Sequence, residues 1–344
     1  MRLVLSGYFG FGNTGDEAVL AGMLRTMREE DPELDVTVVS GDPRQSERTH
    51  GIRAVGRTSI QSIVRHLRAS DGLVSGGGSL LQDATSARPV AYYAGVMGLA
   101  RLARRPYVVH AQGLGPITRV ANRVLAGMAL RHAAHVSLRD PESVAFAREL
   151  RVRRPIDLVP DAALALRPPR GPRGGPLVVC VRPWGRSEGY VRDMRRALGV
   201  LADQYHILAL PMQDRIDRST SQAVISGIPD AAILPAGMTL DERLTVIGSA
   251  SAVVGMRLHA LVLAAAAGVP AVAIAYDPKV TAFARLVGQE VAGDVAGELD
   301  PHAVADAVRR AESAEPEPYL SRVAELRAGL RPAAARALAA LRGE

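Results

Sequence analysis

Two short stretches carry the side chains best suited to chemistry. In Gly255-Met256-Arg257-Leu258-His259 an apolar strand runs into a glycine, and an arginine and a histidine then open an apolar helix. In Tyr276-Asp277-Pro278-Lys279 the next apolar strand delivers an aromatic ring, an acid and a lysine. Both stretches fall at the carboxyl ends of strands, where open α/β sheets bind ligands. Arg257 and His259 also open a helix, and backbone N–H groups at a helix start favour anions. Histidine titrates near neutral pH, which makes His259 the best general acid or base in the chain. Lys279 is the only lysine; every other long cation is arginine. A single lysine is commonly a solvated surface residue, but the neighbours of this one argue for a ligand contact. Arg182 follows another strand end. Arg182, Arg257 and Lys279 with His259 suit a small, multiply charged anion, because guanidinium grips phosphate or carboxylate in bidentate fashion and ammonium adds a point charge.

The N-terminal half is different in character. Gly10-Phe11-Gly12-Asn13-Thr14-Gly15 matches G-x-G-x-x-G between a strand and a helix. A dinucleotide site would want an acid after the second strand, where Asp42 is a poor candidate. Asn13, Asp16 and Glu17 would repel a pyrophosphate and welcome a hydroxyl-rich acceptor such as a sugar. A tight turn that needs glycine explains Gly10 and Gly12 without any ligand. Gly76-Gly77-Gly78-Ser79 is a second glycine-rich strand end, where Gly77 and Gly78 let a ligand approach the backbone. Asp83, just beyond, reads either as a base or hydroxyl acceptor, or equally as a helix N-cap or a solvated loop acid. Gln112-Gly113-Leu114-Gly115-Pro116 and Arg139-Asp140 occupy further strand ends. No G-x-S-x-G nucleophile elbow is present. The histidines show no metal-ligand spacing, and no metal site or bound cofactor is expected.

These residues need a scaffold of alternating strands and helices. Apolar runs of four to six residues alternate with helical patterns on both sides of a Pro/Gly-rich stretch, Leu166 to Pro176. That predicts an α/β protein with two Rossmann-like doubly wound domains facing a cleft. The expected division is an N-terminal domain over 1–166, a linker over 167–176, a C-terminal domain over 177–312, and a helical segment over 313–344 that can cross back. The chain has 344 residues, 48% of them hydrophobic, enough for two cores. Its net charge of +7 is compatible with anionic substrates, a membrane surface or nucleic acid. Aromatics at 4% and no basic block interleaved with them argue against nucleic acid. Cys180 is alone, so no intramolecular disulfide is expected. The N-terminal apolar run is too short for a signal peptide. Gly268 and Pro270 split the apolar run from Leu258 to Ala275, so helix plus strand explains it better than a membrane span. A cytoplasmic protein is expected, with peripheral membrane contact and homo-oligomerisation both open.

Together, Gly7-Tyr8-Phe9-Gly10 with Asn13-Thr14-Gly15-Asp16-Glu17, the Gly76–Ser79 run, Gln112–Pro116, Arg139-Asp140, Gly255–His259 and Tyr276–Lys279 resemble the polysaccharide pyruvyl transferases. The resemblance covers about residues 3 to 290 and is strongest to the branch that modifies secondary cell-wall polymers in S-layer bacteria (the CsaB type). It implies a glycosyltransferase-B-like fold, phosphoenolpyruvate as donor co-substrate, and a pyruvate ketal on a hexose as product. In this branch the hexose would be N-acetylmannosamine, 4,6-linked, on a lipid-linked precursor at the inner face of the plasma membrane. The implied donor residues are Arg182, Arg257, His259 and Lys279. The implied acceptor residues are Gly12, Asn13, Asp16, Glu17, Gly77, Gly78 and Asp83. His259, Arg257 and Asp83 are the implied catalytic set. Two other readings compete: a nucleotide-sugar glycosyltransferase on the same architecture, and a non-catalytic polysaccharide-binding protein.

Overall fold

Runs of Val, Leu, Ile and Ala bounded by glycine make the strands, and those central in each sheet are apolar without alternation, as strands buried on both faces must be. The structure is a computed structural model describing residues 1–84, 86–171, 174–185 and 188–344. The chain divides into two units. The first comprises Met1–Gly12, Asp16–Ala165 and Leu326–Glu344, and the second Asn13–Gly15 and Leu166–Glu325.

The first unit runs β1 (Arg2–Phe9), α1 (Thr14–Glu30), β2 (Asp35–Ser40), α2 (Pro43–His50), β3 (Arg53–Gly56), α3 (Ile60–Arg68), β4 (Gly72–Gly76), α4 (Arg88–Leu102), β5 (Tyr107–Gln112), α5 (Val120–His132), β6 (His135–Leu138), α6 (Pro141–Glu149) and β7 (Asp157–Leu158). Its sheet has the order β3-β2-β1-β4-β5-β6-β7, with every pairing parallel. The second unit holds β8 (Leu177–Cys180), α7 (Glu188–Leu201), β9 (Ile207–Ala209), α8 (Asp214–Ile225), β10 (Ala232–Ile233), α9 (Leu240–Gly248), β11 (Ala252–Gly255), α10 (Leu258–Ala267), β12 (Ala271–Ala275), α11 (Pro278–Val287), β13 (Glu290–Asp294) and α12 (Pro301–Ser313). Its order is β10-β9-β8-β11-β12-β13, again all parallel. Two α/β units with parallel sheets are therefore present, as the alternation of patterns predicted. The strand order reverses at β1/β4 and at β8/β11, which are the topological switch points of doubly wound sheets.

Four helices begin with the same dipeptide. Asp42-Pro43, Asp140-Pro141, Asp277-Pro278 and Asp300-Pro301 each place aspartate at the N-cap, accepting a hydrogen bond from a backbone N–H of the first turn, and proline just inside. Asp42 is thus the cap of α2, accepting from Gln45 N at 3.1 Å, rather than a ribose ligand.

The apolar run from Leu258 folds as α10, capped by Gly268 in the left-handed region, and then β12. Among the described residues no helix is long and apolar enough to cross a membrane. Pro172 and Arg173 of the expected linker lie outside the described residues. Gly171 N donates to Gly248 O at 2.9 Å, and the Gly175 carbonyl accepts from Ser251 Oγ at 2.8 Å, so those two glycines are bonded to the second unit. The final segment is α13 (Pro316–Ala328) and α14 (Leu330–Arg342). The sequence suggests a break at Pro332. The break falls at Gly329, and Pro332 lies in the first turn of α14, where a missing N–H costs little. Helix α14 packs on β5 and β6 of the first sheet.

Candidate functional site

In the first unit the site is built from the ends of β1, β4, β5 and β6. Gly12, Gly77 and Gly78 all have positive φ, at 66°, 73° and 61°. Gly77 is the position where glycine is needed twice over: a Cβ there would lie 2.2 Å from Val19 Cγ1 in addition to the unfavourable φ. Gly78 sits beside Asp16, whose Oδ1 is 3.0 Å from where a Cβ would be, and its carbonyl accepts from Gly113 N at 2.8 Å. Arg139, nearly buried, donates to Asp161 Oδ2 at 2.9 Å and to Ser79 Oγ at 3.0 Å. It thereby ties the glycine turn after β4 to the end of β6.

Two expected acceptor carboxylates are committed elsewhere. Glu17 Oε1 accepts from Gly10 N at 2.8 Å, and its Oε2 meets His50 Nε2 at 2.8 Å, with both side chains buried. Glu17 therefore shapes the first glycine loop from beneath. Asp83 is corrected more firmly. Its carboxylate is buried and accepts from Thr118 N, Thr118 Oγ1, Arg119 N and Asn122 Nδ2 at 2.8 to 3.0 Å. Burial alone would push its pKa up, but these hydrogen bonds outweigh it and hold the group well below the usual carboxylate range. A carboxylate so satisfied is a poor base; it organises the chain ahead of α5. Asp83 is the N-cap of neither flanking helix, since Ala87 holds that place in α4 and Arg119 in α5, and it is not a solvated loop acid either.

In the second unit the expected donor residues issue from the ends of three adjacent strands, β8, β11 and β12. Arg182 Nη1 donates to Tyr276 Oη at 3.2 Å, and its guanidinium lies 4.9 Å from the centroid of that ring and 5.6 Å from that of Trp184. Lys279 Nζ is 5.9 Å from the same Tyr276 centroid and 3.2 Å from Asp277 Oδ2. Tyr276 thus brings Arg182 and Lys279 together. The Asp277 cap also explains the position of Lys279, since it starts α11 with the lysine in its first turn.

Arg257 is the N-cap residue of α10. Its Nε donates to Asp217 Oδ2 at 3.0 Å and its Nη2 to Oδ1 at 2.5 Å. Asp217 is fully buried on α8 and also accepts from Gln213 N at 2.9 Å. Three cations gathered for one anion were expected here. Instead Arg257 and Lys279 each carry a carboxylate partner, while the contacts of Arg182 described above are aromatic. Asp217 was missed because an acid in a polar helical stretch, Asp214 to Gln222, where Asp214 stands beside it in the first turn, carries no local signal of its own.

His259 lies in the first turn of α10, half-buried. Residues 13–15 are grouped with this unit: Thr14 N donates to Met212 O at 2.9 Å, and a Cβ on Gly15 would fall 2.2 Å from His259 Nδ1. Asn13 Oδ1 accepts from Gly15 N at 3.0 Å, an Asx turn that shapes this segment. Of the expected acceptor residues, Asn13 is therefore placed by His259's immediate neighbours, while Gly12, Asp16, Glu17, Gly77, Gly78 and Asp83 belong to the first unit. Among the described residues no group of three or more His, Cys, Asp or Glu could hold a metal ion.

The family model for polysaccharide pyruvyl transferases matches residues 13–278, spanning both units. The chain belongs to the polysaccharide pyruvyl transferase family. It is therefore a transferase of the kind that acts on polysaccharide, and a sugar acceptor follows from that. No curated protein matches its sequence. Among solved structures it is similar to the UDP-GlcNAc 2-epimerase from Neisseria meningitidis bound to UDP-GlcNAc, at 11% identity and TM-score 0.64 over 100% of both chains. It is also similar to the S. aureus MnaA–UDP co-structure, at 11% identity and TM-score 0.64 over 98% of this chain and 94% of that one. MurG from Acinetobacter baumannii matches at 14% identity and TM-score 0.53 over 98% and 99%. At these identities the likeness shows the fold, which for this member of the pyruvyl transferase family is GT-B.

Proposed function

We propose that the protein transfers the pyruvyl group of phosphoenolpyruvate onto a hexose of a cell-wall polysaccharide precursor, forming a ketal and releasing phosphate. The observation that carries this reading is the issue of Arg182, Arg257, His259 and Lys279 from three adjacent strand ends of one sheet. Phosphoenolpyruvate presents a phosphate and a carboxylate, and this set offers two guanidinium groups, an ammonium and an imidazole.

His259 gives a proton to the methylene carbon of the donor, and positive charge builds at C2. A sugar hydroxyl adds its oxygen to C2 and loses its proton. The proton of the first hydroxyl returns to the basic imidazole; the C2–O bond to phosphate then breaks, a second hydroxyl of the sugar adds in its place, and its proton leaves with the phosphate. Arg182 and Lys279 hold the anionic groups. Arg257, its plane fixed by Asp217, stabilises the departing phosphate. Asp16 and the glycine turns at Gly12, Gly77 and Gly78 receive the acceptor sugar. The residue motifs favour the secondary cell-wall polymer branch (CsaB-type), with N-acetylmannosamine on a lipid-linked precursor as acceptor, a 4,6-ketal as product and S-layer attachment as its use. Such an acceptor places the work at the cytoplasmic face of the membrane.

The test is direct. The full chain, given phosphoenolpyruvate and a synthetic N-acetylmannosamine-containing acceptor, should release inorganic phosphate and yield an acid-labile ketal. Tight binding of a UDP-sugar with no phosphate release would sink this reading in favour of glycosyl transfer. Retained function in His259→Ala and Lys279→Ala would favour a non-catalytic binding protein.

A further inference from the structure

Residues 48–139 contain only two acids, Asp71 and Asp83, although the chain as a whole has 35. Asp83 is buried in its hydrogen bonds and Asp71 accepts from Arg2 N at 2.7 Å. Helices α3, α4 and α5, which fall in this stretch, contain no acid at all. They also form one layer. The connections β3→β4, β4→β5 and β5→β6 all advance in the same direction across the first sheet, so right-handed crossovers put their helices on one face. Helix α4 packs on both α3 and α5, and Arg105 Nη2 donates to Arg68 O at 2.6 Å across the first of these contacts.

The outer surface of this layer is apolar where a solvated face should be polar. Val120, Val124 and Met128 recur every four residues along α5 at 77%, 52% and 40% exposure, with Leu102 at the end of α4 at 82% and Ile60 at the start of α3 at 61%. These are five of the ten large apolar side chains exposed among the described residues. Exposed arginines Arg65, Arg68, Arg101, Arg104, Arg119 and Arg131 lie among them. The first acids come at the rim, on α6, where Glu149 pairs with Arg123 at 3.2 Å.

The basic C-terminal helix α14 makes an instructive contrast. Arg331 pairs with Glu30, Arg336 with Asp157 and Arg342 with Asp31, so its charge is spent within the first unit.

We propose that the α3–α4–α5 face is a docking surface for an anionic lipid bilayer. Arg119 is paired with Asp83 at 3.6 Å; exposed apolar side chains enter the headgroup region while Arg65, Arg68, Arg101, Arg104 and Arg131 meet lipid phosphates, the combination that holds a protein on a membrane without crossing it. A soluble protein partner would more often present acids or a groove to match; a bilayer needs only a broad basic face with apolar tips. The inference goes beyond the pyruvyl-transfer reading and uses none of its residues, so either can fail alone.

Vesicle flotation of the full chain tests it. Vesicles of equimolar phosphatidylglycerol and phosphatidylcholine should retain the chain and pure phosphatidylcholine should not, with retention falling as salt rises. Val124→Asp with Met128→Asp should lower the partition by about tenfold or more, since each removes an inserted apolar group and adds a repelled charge. Arg101→Ser with Arg104→Ser should lower it several-fold and flatten the salt dependence. All these positions are exposed, so melting temperatures should stay at the wild-type value, and Leu102→Asp gives an independent check if one variant folds poorly. Arg331→Ser on α14 should change nothing. The proposal is overturned if the wild type ignores phosphatidylglycerol, or if the Val124/Met128 variant floats as well as the wild type. It is equally overturned if that variant instead dissolves a dimer in sedimentation, or if a single-stranded RNA displaces the vesicles and still binds the variant.

Discussion

Arg257 holds its guanidinium plane through two parallel hydrogen bonds to a carboxylate that solvent does not reach. Lysine cannot copy that geometry. Arg257→Lys should therefore cut phosphoenolpyruvate-dependent phosphate release about 100-fold, with a much smaller loss of donor affinity, measured by initial rates against donor concentration. His259→Gln should remove the proton donor and lower turnover by about 100-fold or more while leaving donor binding within a few-fold; an unchanged rate would exclude His259 from the chemistry. Asp83 makes the opposite kind of prediction. Its folded carboxyl titrates below its ordinary value of 3.8, so its contribution is present at neutral pH and is lost as pH falls through the lower folded value. Asp83→Asn should cost about 2–3 kcal/mol near neutrality. The gap to wild type in denaturant melts should close once the pH drops well below 3.8.

At the scale of elements, the glycine turn after β4 is the most constrained piece of the first unit. Gly77→Ala combines a positive φ with a Cβ 2.2 Å from Val19 Cγ1, and should lower stability by about 2–3 kcal/mol, seen as a drop in melting temperature of several degrees. Shortening Val19 to Ala should recover only the steric part. The inner strands and most helices were legible in the sequence because apolar runs such as Leu177–Cys180 and Ala271–Ala275 have no competing interpretation, whereas the edge strands β3, β7 and β13 were not. Helix α2 was not, since Pro43–His50 buries only Ser46 and shows no apolar period; its one sign was the Asp42-Pro43 start. The family motifs fall at strand ends of the two sheets, and Arg182, Lys279 and Tyr276 gather at two of them. What the motifs could not show was which acids are spent on structure. Glu17, Asp83 and Asp217 look alike as letters, and only their tertiary partners, His50, Thr118 and Arg257, distinguish a loop support, a helix organiser and a guanidinium clamp.

On the scale of the whole molecule, the first unit is assembled from separated parts of the chain. Helix α14 buries Leu330, Ala334, Leu338 and Leu341, and Leu341 Cδ2 lies 2.7 Å from where a Cβ on Gly72 would be. Leu341→Ala should cost about 2–4 kcal/mol, read as a lower midpoint in urea. Arg336→Ala, by contrast, removes an exposed partner of Asp157 and should cost less than about 1 kcal/mol. The discontinuity also sets an order of events during synthesis. A ribosome releases residues 1–165 first, yet the sheet they form lacks the cover of α14 until residues beyond 326 have emerged. The second unit, whose main body is one continuous stretch, has all of that stretch available earlier. A released chain truncated after residue 328 should therefore show protease protection over 166–325 but little over the N-terminal sheet, and the half synthesised first would be the half finished last.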